Sequence, residues 1–128
     1  MNFPNELKYT KEHEWVKIDG TVAVVGITEF AQQELGDIVF VELPAVGKQL
    51  KASETLCVVE STKAASDVYS PIGGVVKLAN QKLDQSPELV NSDPYGDGWM
   101  VKLENFSSAE IESLMDAAAY QAFLGDKI

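Results

Sequence analysis

The 128-residue chain predicts a mainly β fold, one β-sandwich or flattened barrel occupying a single domain over residues 1–128. Three observations carry that expectation. Short runs rich in Val, Ile, Phe and Trp recur at close spacing, separated by turn signals such as Asp19-Gly20, Val46-Gly47 and Ile72-Gly73-Gly74. A Leu-x-x-Ser-x-x-Leu frame at residues 50–56 returns at 83–89, each copy preceded by a β-rich run with a turn, which hints at two similar halves. The apolar share is 45%, enough for a core at this length without staples, while no apolar run approaches the ~20 residues of a membrane span.

Taken in order, residues 1–13 are polar with scattered apolar anchors. Glu14–Ile18 alternates as a strand should, Asp19-Gly20 is a hairpin turn, and Thr21–Ile27 is the return strand. Thr28 is suited to cap a short helix over Glu29–Leu35, with Phe30, Ala31 and Leu35 on its buried face and Gly36 as the left-handed stop. Ile38–Leu43 reads as a largely buried strand ended by Pro44. Val75–Ala79 and Trp99–Leu103 are further strands, and Asn91–Gly98 between them is loop by composition. From Ser107 the tail is helical through about Leu124. Ser107 with Glu110 fits a capping box, Asp116 is placed to cap a second helix, and Ile111, Leu114, Met115 and Ala118 share one face. One helix or two stays open at this stage.

The most informative stretch is the hairpin at about residues 56–70. Leu56–Val59 climbs to a small polar crest, and the chain descends through Val68 and Tyr69. Lys63 sits at or near the tip between small residues (Thr62, Ala64, Ala65), with Glu60-Ser61 before it nearly mirrored by Ser66-Asp67 after it. A lysine so placed is by default a solvated surface group. The hairpin alone does not distinguish that from a modification site.

Composition narrows the function classes. The formal charge is −10, and the ten cations are all lysines, with no arginine. Phosphate-backbone binding needs clustered basic residues, so nucleic acid is excluded as an expected partner. The acidic surface instead favours basic docking faces. A single cysteine, Cys57, excludes an internal disulfide and reads as a small core residue. A single histidine, His13, rules out multi-histidine metal sites and weakens any catalytic triad. We expect no metal, no catalytic residue of its own and no membrane association, and the first residues look like neither a secretory signal nor a transit peptide.

Four stretches, in order, resemble the H proteins of the glycine cleavage system. They are Tyr9-Thr10-Lys11-Glu12-His13-Glu14-Trp15-Val16; Gly26–Gln32 with Leu35–Pro44; Val59-Glu60-Ser61-Thr62-Lys63-Ala64; and Asp93-Pro94-Tyr95-Gly96-Asp97-Gly98-Trp99-Met100. The resemblance runs from Leu7 to Leu124. It implies a barrel–sandwich hybrid of the lipoyl- and biotinyl-carrier type, with a short helix in the N-terminal half and a helical C-terminus. It implies a carrier rather than an enzyme, with lipoate in amide linkage on Lys63 and Glu60 and Ser61 belonging to the attachment motif. In the family the arm takes an aminomethyl group from glycine decarboxylase (P protein) and passes its carbon to tetrahydrofolate on aminomethyltransferase (T protein). Dihydrolipoyl dehydrogenase (L protein) then reoxidises the arm, and lipoate-attaching enzymes install it.

By the same resemblance Glu14, and secondarily Asp67, are candidates to face the amine in a protective cleft, since a carboxylate complements a protonated amine. Two departures stand out: Phe30 occupies a position where many relatives carry His, so no proton-handling role transfers there, and Thr62 stands where Val is common before the lysine. Localisation would be cytoplasmic for a bacterial or archaeal protein and the mitochondrial matrix for a mature eukaryotic one. Competing readings are a lipoyl domain of a 2-oxo-acid dehydrogenase, which usually presents Asp-Lys-Ala; a biotin carrier, which favours Met on both sides of the lysine; and an H-like protein relaying lipoate or serving another redox role.

Overall fold

Alternating apolar and polar residues close the chain into antiparallel ladders, and the computed structural model, which describes residues 1–127, shows how these are layered. Strands β1 (Lys8–Tyr9), β2 (Glu14–Asp19) and β3 (Val22–Ile27) lead to helix α1 (Glu29–Leu35). Then come β4 (Ile38–Glu42), β5 (Gln49–Leu50), β6 (Thr55–Ser61), β7 (Ala65–Tyr69) and β8 (Gly74–Ala79). Two one-turn helices, α2 (Lys82–Gln85) and α3 (Leu89–Ser92), precede β9 (Val101–Glu104), and the chain ends in α4 (Ser108–Glu112) and α5 (Ala117–Leu124). One sheet has the order β1-β2-β3-β9-β8-β5 and the other β4-β6-β7.

The sheets meet over one core. Val16, Val25, Val76, Val101 and Leu103 from the larger sheet and Val41, Leu56, Val59 and Val68 from the smaller belong to a single buried cluster. Period-two alternation sends the neighbours of the first group to the opposite face. There Trp15 and Val24 join Phe3, Leu7, Tyr9, Phe30, Tyr120 and Leu124 in a second cluster, which docks the N-terminal segment and α5. Tyr9 and Tyr120 stack at 4.8 Å between centroids, and the Trp15 indole donates to the Pro94 carbonyl at 3.0 Å. Gly26 pairs with Trp15 across β2–β3, and a β-carbon there would lie 2.7 Å from the indole. The ring therefore needs glycine opposite it.

Several expectations hold in detail. Thr28 caps α1 through its hydroxyl, which accepts from the Ala31 N–H, and Gly36 ends the helix at φ 83°. Asp116 caps α5 by accepting from the Ala119 N–H, and the tail is two helices rather than one. Other expectations change. The β2–β3 turn is Gly20-Thr21, one residue later than read, because Asp19 pairs with Val22 and glycine takes the first turn position at φ 62°. Strand β4 is an edge strand with a register shift between Ile38 and Phe40, so Val39 and Phe40 are exposed and the strand is not largely buried.

Ser107 makes no side-chain cap; Glu110 instead accepts from the Gly73 N–H at 3.0 Å, tying α4 to the turn before β8. The break between α4 and α5 resets the helical phase, so α5 buries Ala117, Tyr120 and Leu124 while Ala118 is exposed. The repeated leucine frame does not keep its conformation: Leu50 and Leu56 are buried in strands, whereas Leu83, buried, and Leu89, half-buried, lie in α2 and α3. Asn91 and Ser92, read as loop, close α3.

Candidate functional site

Lys63 stands where the sequence places it, at the tip of the β6–β7 hairpin and exposed. The turn is closed chiefly by one residue. The Ser61 N–H and hydroxyl both donate to the Ala64 carbonyl at 2.9 and 3.2 Å, and the same hydroxyl oxygen accepts from the Lys63 and Ala64 amides at 3.1 and 3.3 Å. Outside the turn, the Thr62 N–H donates to the Asp37 carbonyl at 3.1 Å, fastening the tip to the segment that links α1 to β4. The Lys63 stem lies over Gly36: a β-carbon there would sit 3.4 Å from Lys63 Cε and 3.9 Å from Nζ. Glycine at this position both accepts the positive φ and leaves room for the lysine stem.

Gly36 ends the helix that forms one wall of a cleft of about 180 Å³. Ile27, Ala31, Leu35, Val59 and Val68 give it apolar walls, and Glu12, Glu14, Glu34 and Asp67 line it with carboxylates, together with His13 and Ser66. No lysine is among the lining residues. An apolar channel edged by acids suits an alkyl chain that ends in a cation.

Glu14 is the deepest of these acids, only 2% exposed. Burial pushes its carboxyl up to about 7, while a hydrogen bond from Thr10 and one from the Tyr69 backbone pull it partly back. Thr10 also organises the turn that presents it: its hydroxyl donates to Glu14 Oε1 at 2.7 Å and accepts from the Glu12 and Glu14 amides, both at 3.2 Å. His13 in that turn takes the left-handed region at φ 72°. Its Nδ1 shares a 2.9 Å hydrogen bond with the Tyr120 hydroxyl, which lies 2.8 Å from the Thr28 hydroxyl. Burial, and secondarily Lys127, hold the imidazole below its ordinary pKa against the opposing pull of Glu12 and Glu34, which favours the uncharged ring.

Of the residues singled out in the sequence, Glu14 and Asp67 line this cleft, and Lys63 and Ser61 build the adjoining tip. Glu60 is exposed, and since Val59 faces the cleft, strand alternation turns Glu60 to the other face. Sequence reasoning missed Glu12, His13 and Glu34. Glu34 lies three residues after Ala31 on the same helical face, a signal that was available; Glu12 and His13 enter because the Thr10 turn folds back on itself. Phe30 is buried in the second cluster with its ring 4.9 Å from that of His13, so this position packs rather than handles protons. Cys57 is buried, donates to Met100 Sδ at 3.5 Å, and has its thiol pushed up to about 12 by burial, which keeps it unreactive.

Comparison with known proteins agrees along nearly the whole chain. A family model described as glycine cleavage H-protein matches residues 7–127. The glycine cleavage system H protein of Symbiobacterium thermophilum is 57% identical over 122 residues, covering 95% of each chain. That of Halorhodospira halophila is 55% identical over 126 residues, covering 97% of this chain and 96% of the relative. Among solved structures, a glycine cleavage system H protein from Mycobacterium marinum superposes with a TM-score of 0.86 at 35% identity, covering 96% of this chain and 99% of that one. The two-sheet architecture with its short helices is thus the barrel–sandwich fold.

Proposed function

The chain belongs to the glycine cleavage H-protein family, and from that membership we propose that Lys63 is its lipoylated residue and the adjoining acid-lined cleft the resting place of the arm's loaded end. The observation that carries this reading is the joint placement of an exposed lysine on a tightly hydrogen-bonded turn and a cleft whose wall begins where the lysine's own stem lies.

The residues present fit the group. An attaching enzyme needs an accessible amine on a fixed root, and Ser61 supplies the fixity while Thr62 and Ala64 leave the approach open. Ile27, Ala31, Leu35, Val59 and Val68 offer an alkyl chain an apolar bed. When bound, lipoate would supply a dithiolane whose S–S bond opens as one sulfur takes an aminomethyl group, and the dithiol left once that group departs would lose two electrons and two protons to re-form the S–S bond.

Glu14 meets a cationic amine with a carboxyl that burial holds near neutrality, so an arriving ammonium group favours its ionised form and a departing one its neutral form. Glu12, Glu34 and Asp67 extend the negative lining, and the apolar walls exclude water from a group that water would hydrolyse. No side chain here performs bond chemistry; binding, orienting and shielding are the chain's part. Glycine decarboxylase, aminomethyltransferase and dihydrolipoyl dehydrogenase act on the arm in turn, and the net charge of −10 directs the carrier toward basic docking faces.

Lys63→Arg tests the assignment. It keeps the charge and a stem over Gly36 but has no acylable amine. The variant is expected to show native circular dichroism and background glycine–bicarbonate exchange with glycine decarboxylase. Exchange at the unsubstituted level would overturn the assignment.

A further inference from the structure

The segment Gly36-Asp37-Ile38 joins α1 to β4 and meets the Lys63 hairpin through the lysine stem on Gly36, through the Asp37 carbonyl that accepts from Thr62, and through Ile38 at the end of the β4–β6 ladder. Strand pairing fixes this segment poorly. Ile38 is aligned with Ser61, but the ladder shifts immediately afterwards, and Asp37 is outside it. What holds the segment is a side chain from a distant part of the chain. The Asn91 amide, on α3, donates from Nδ2 to the Gly36 carbonyl and to Gln32 Oε1, each at 2.9 Å, and its Oδ1 accepts from the Ile38 N–H at 2.9 Å.

Asn91 thus grips the segment on both sides of Asp37. Two N–H donors and an acceptor are all engaged, a pattern that neither Asp nor Ser can supply, the first lacking donors and the second lacking reach and donors. We propose that Asn91 is a positioning residue for the lysine turn: it sets the Gly36–Ile38 segment, and through the Asp37–Thr62 hydrogen bond it sets the angle at which Lys63 is presented beside the cleft. This rests on the reading of Lys63 as the attachment site only for its functional half; the mechanical half concerns unmodified protein.

The test has two readouts on the full chain carrying Asn91→Ala, with Gln32→Ala as a control that removes one bond to Asn91 and neither grip on the segment. On unmodified protein, amide hydrogen exchange resolved by NMR should show Thr62 losing about tenfold in protection beyond any change at Val25 and Leu103, which report global opening. With a lipoate-attaching enzyme, the apparent KM for the variant should rise about threefold or more with kcat little changed, since a less ordered tip weakens productive docking rather than the acylation step. Gln32→Ala should leave both near the unsubstituted values.

Should Asn91→Ala not fold, Asn91→Asp, which keeps the acceptor for Ile38 and loses both donors, carries the same measurements. Thr62 protection that falls only in step with Val25 and Leu103, or an unchanged KM despite a loosened Thr62, would overturn the proposal. Absence of acylation at Lys63 in the unsubstituted protein would instead defeat the attachment reading and leave the exchange result to judge the mechanical one.

Discussion

At the tip of the β6–β7 hairpin, four consecutive residues close on themselves through Ser61. The cleft beside it is assembled from the Thr10 turn, β3, α1 and the two strands of that hairpin, stretches spread over residues 12–68. The tip is exposed and its turn is closed by local bonds, with one long-range tie from Thr62 to Asp37; the cleft is a tertiary product whose deepest acid is buried. A carrier has use for both plans. Its attachment point must be reachable by a modifying enzyme, which favours a self-contained turn. Its shelter must exclude water, which needs walls from several elements. The same contrast separates two carboxylates on the cleft: Glu14 is enclosed and held by Thr10, while Asp67 is exposed on β7.

The largest effect that sharpens this contrast is chemical. Lys63→Arg should remove carrier activity altogether while leaving thermal stability within about 0.5 kcal/mol, because an exposed tip side chain contributes little to the fold. A strong loss of stability would show that the tip is not self-contained.

The next effect concerns the shelter. Glu14 has its folded-state pKa raised to about 7 from an ordinary value of 4.5. A raised carboxyl pKa contributes stability fully below about pH 4.5, and this is lost as pH rises through about 7. Glutamine mimics the protonated acid, so Glu14→Gln should be near-neutral at pH 4.5 and gain on the unsubstituted protein by about 2 to 3 kcal/mol at pH 8. Paired denaturant titrations at the two pH values check this; a difference independent of pH would mean that the carboxyl is solvated and the cleft open.

Smaller still is Tyr120→Phe, which removes the hydroxyl joining His13 to Thr28. A loss of about 1 to 2 kcal/mol is expected in chemical denaturation, with acylation of Lys63 unaffected. Impaired acylation would show that the tip depends on the far side of the cleft after all. The smallest effect is Ser61→Ala, which should cost about 1 kcal/mol or less in global stability yet slow lipoate attachment several-fold in a timed acylation assay. Unchanged attachment would mean that turn rigidity does not matter to the modifying enzyme.

What could be seen in the sequence follows the same division. The hairpins, the Thr28 and Asp116 caps and the Lys63 turn rest on neighbours in the chain, so local patterns expose them. Glu14 and Asp67 were reached through family resemblance, because nothing local says that residues so far apart share a cleft. His13 and Asn91 were missed for a tertiary reason: their partners Tyr120, Gly36 and Ile38 are distant in sequence. The failures are of the same kind. Glu110 left its expected capping box because Gly73 offers a competing N–H, and β4 surfaced because it lies at a sheet edge, a property of topology rather than of its own residues.

The most direct measurement is the mass of the Lys63-containing peptide from protein produced in a lipoate-replete host. The account predicts one lipoyl group, localised by fragmentation to Lys63 and to no other lysine. An unmodified Lys63 under those conditions, or a lipoyl group on a different lysine, would contradict it.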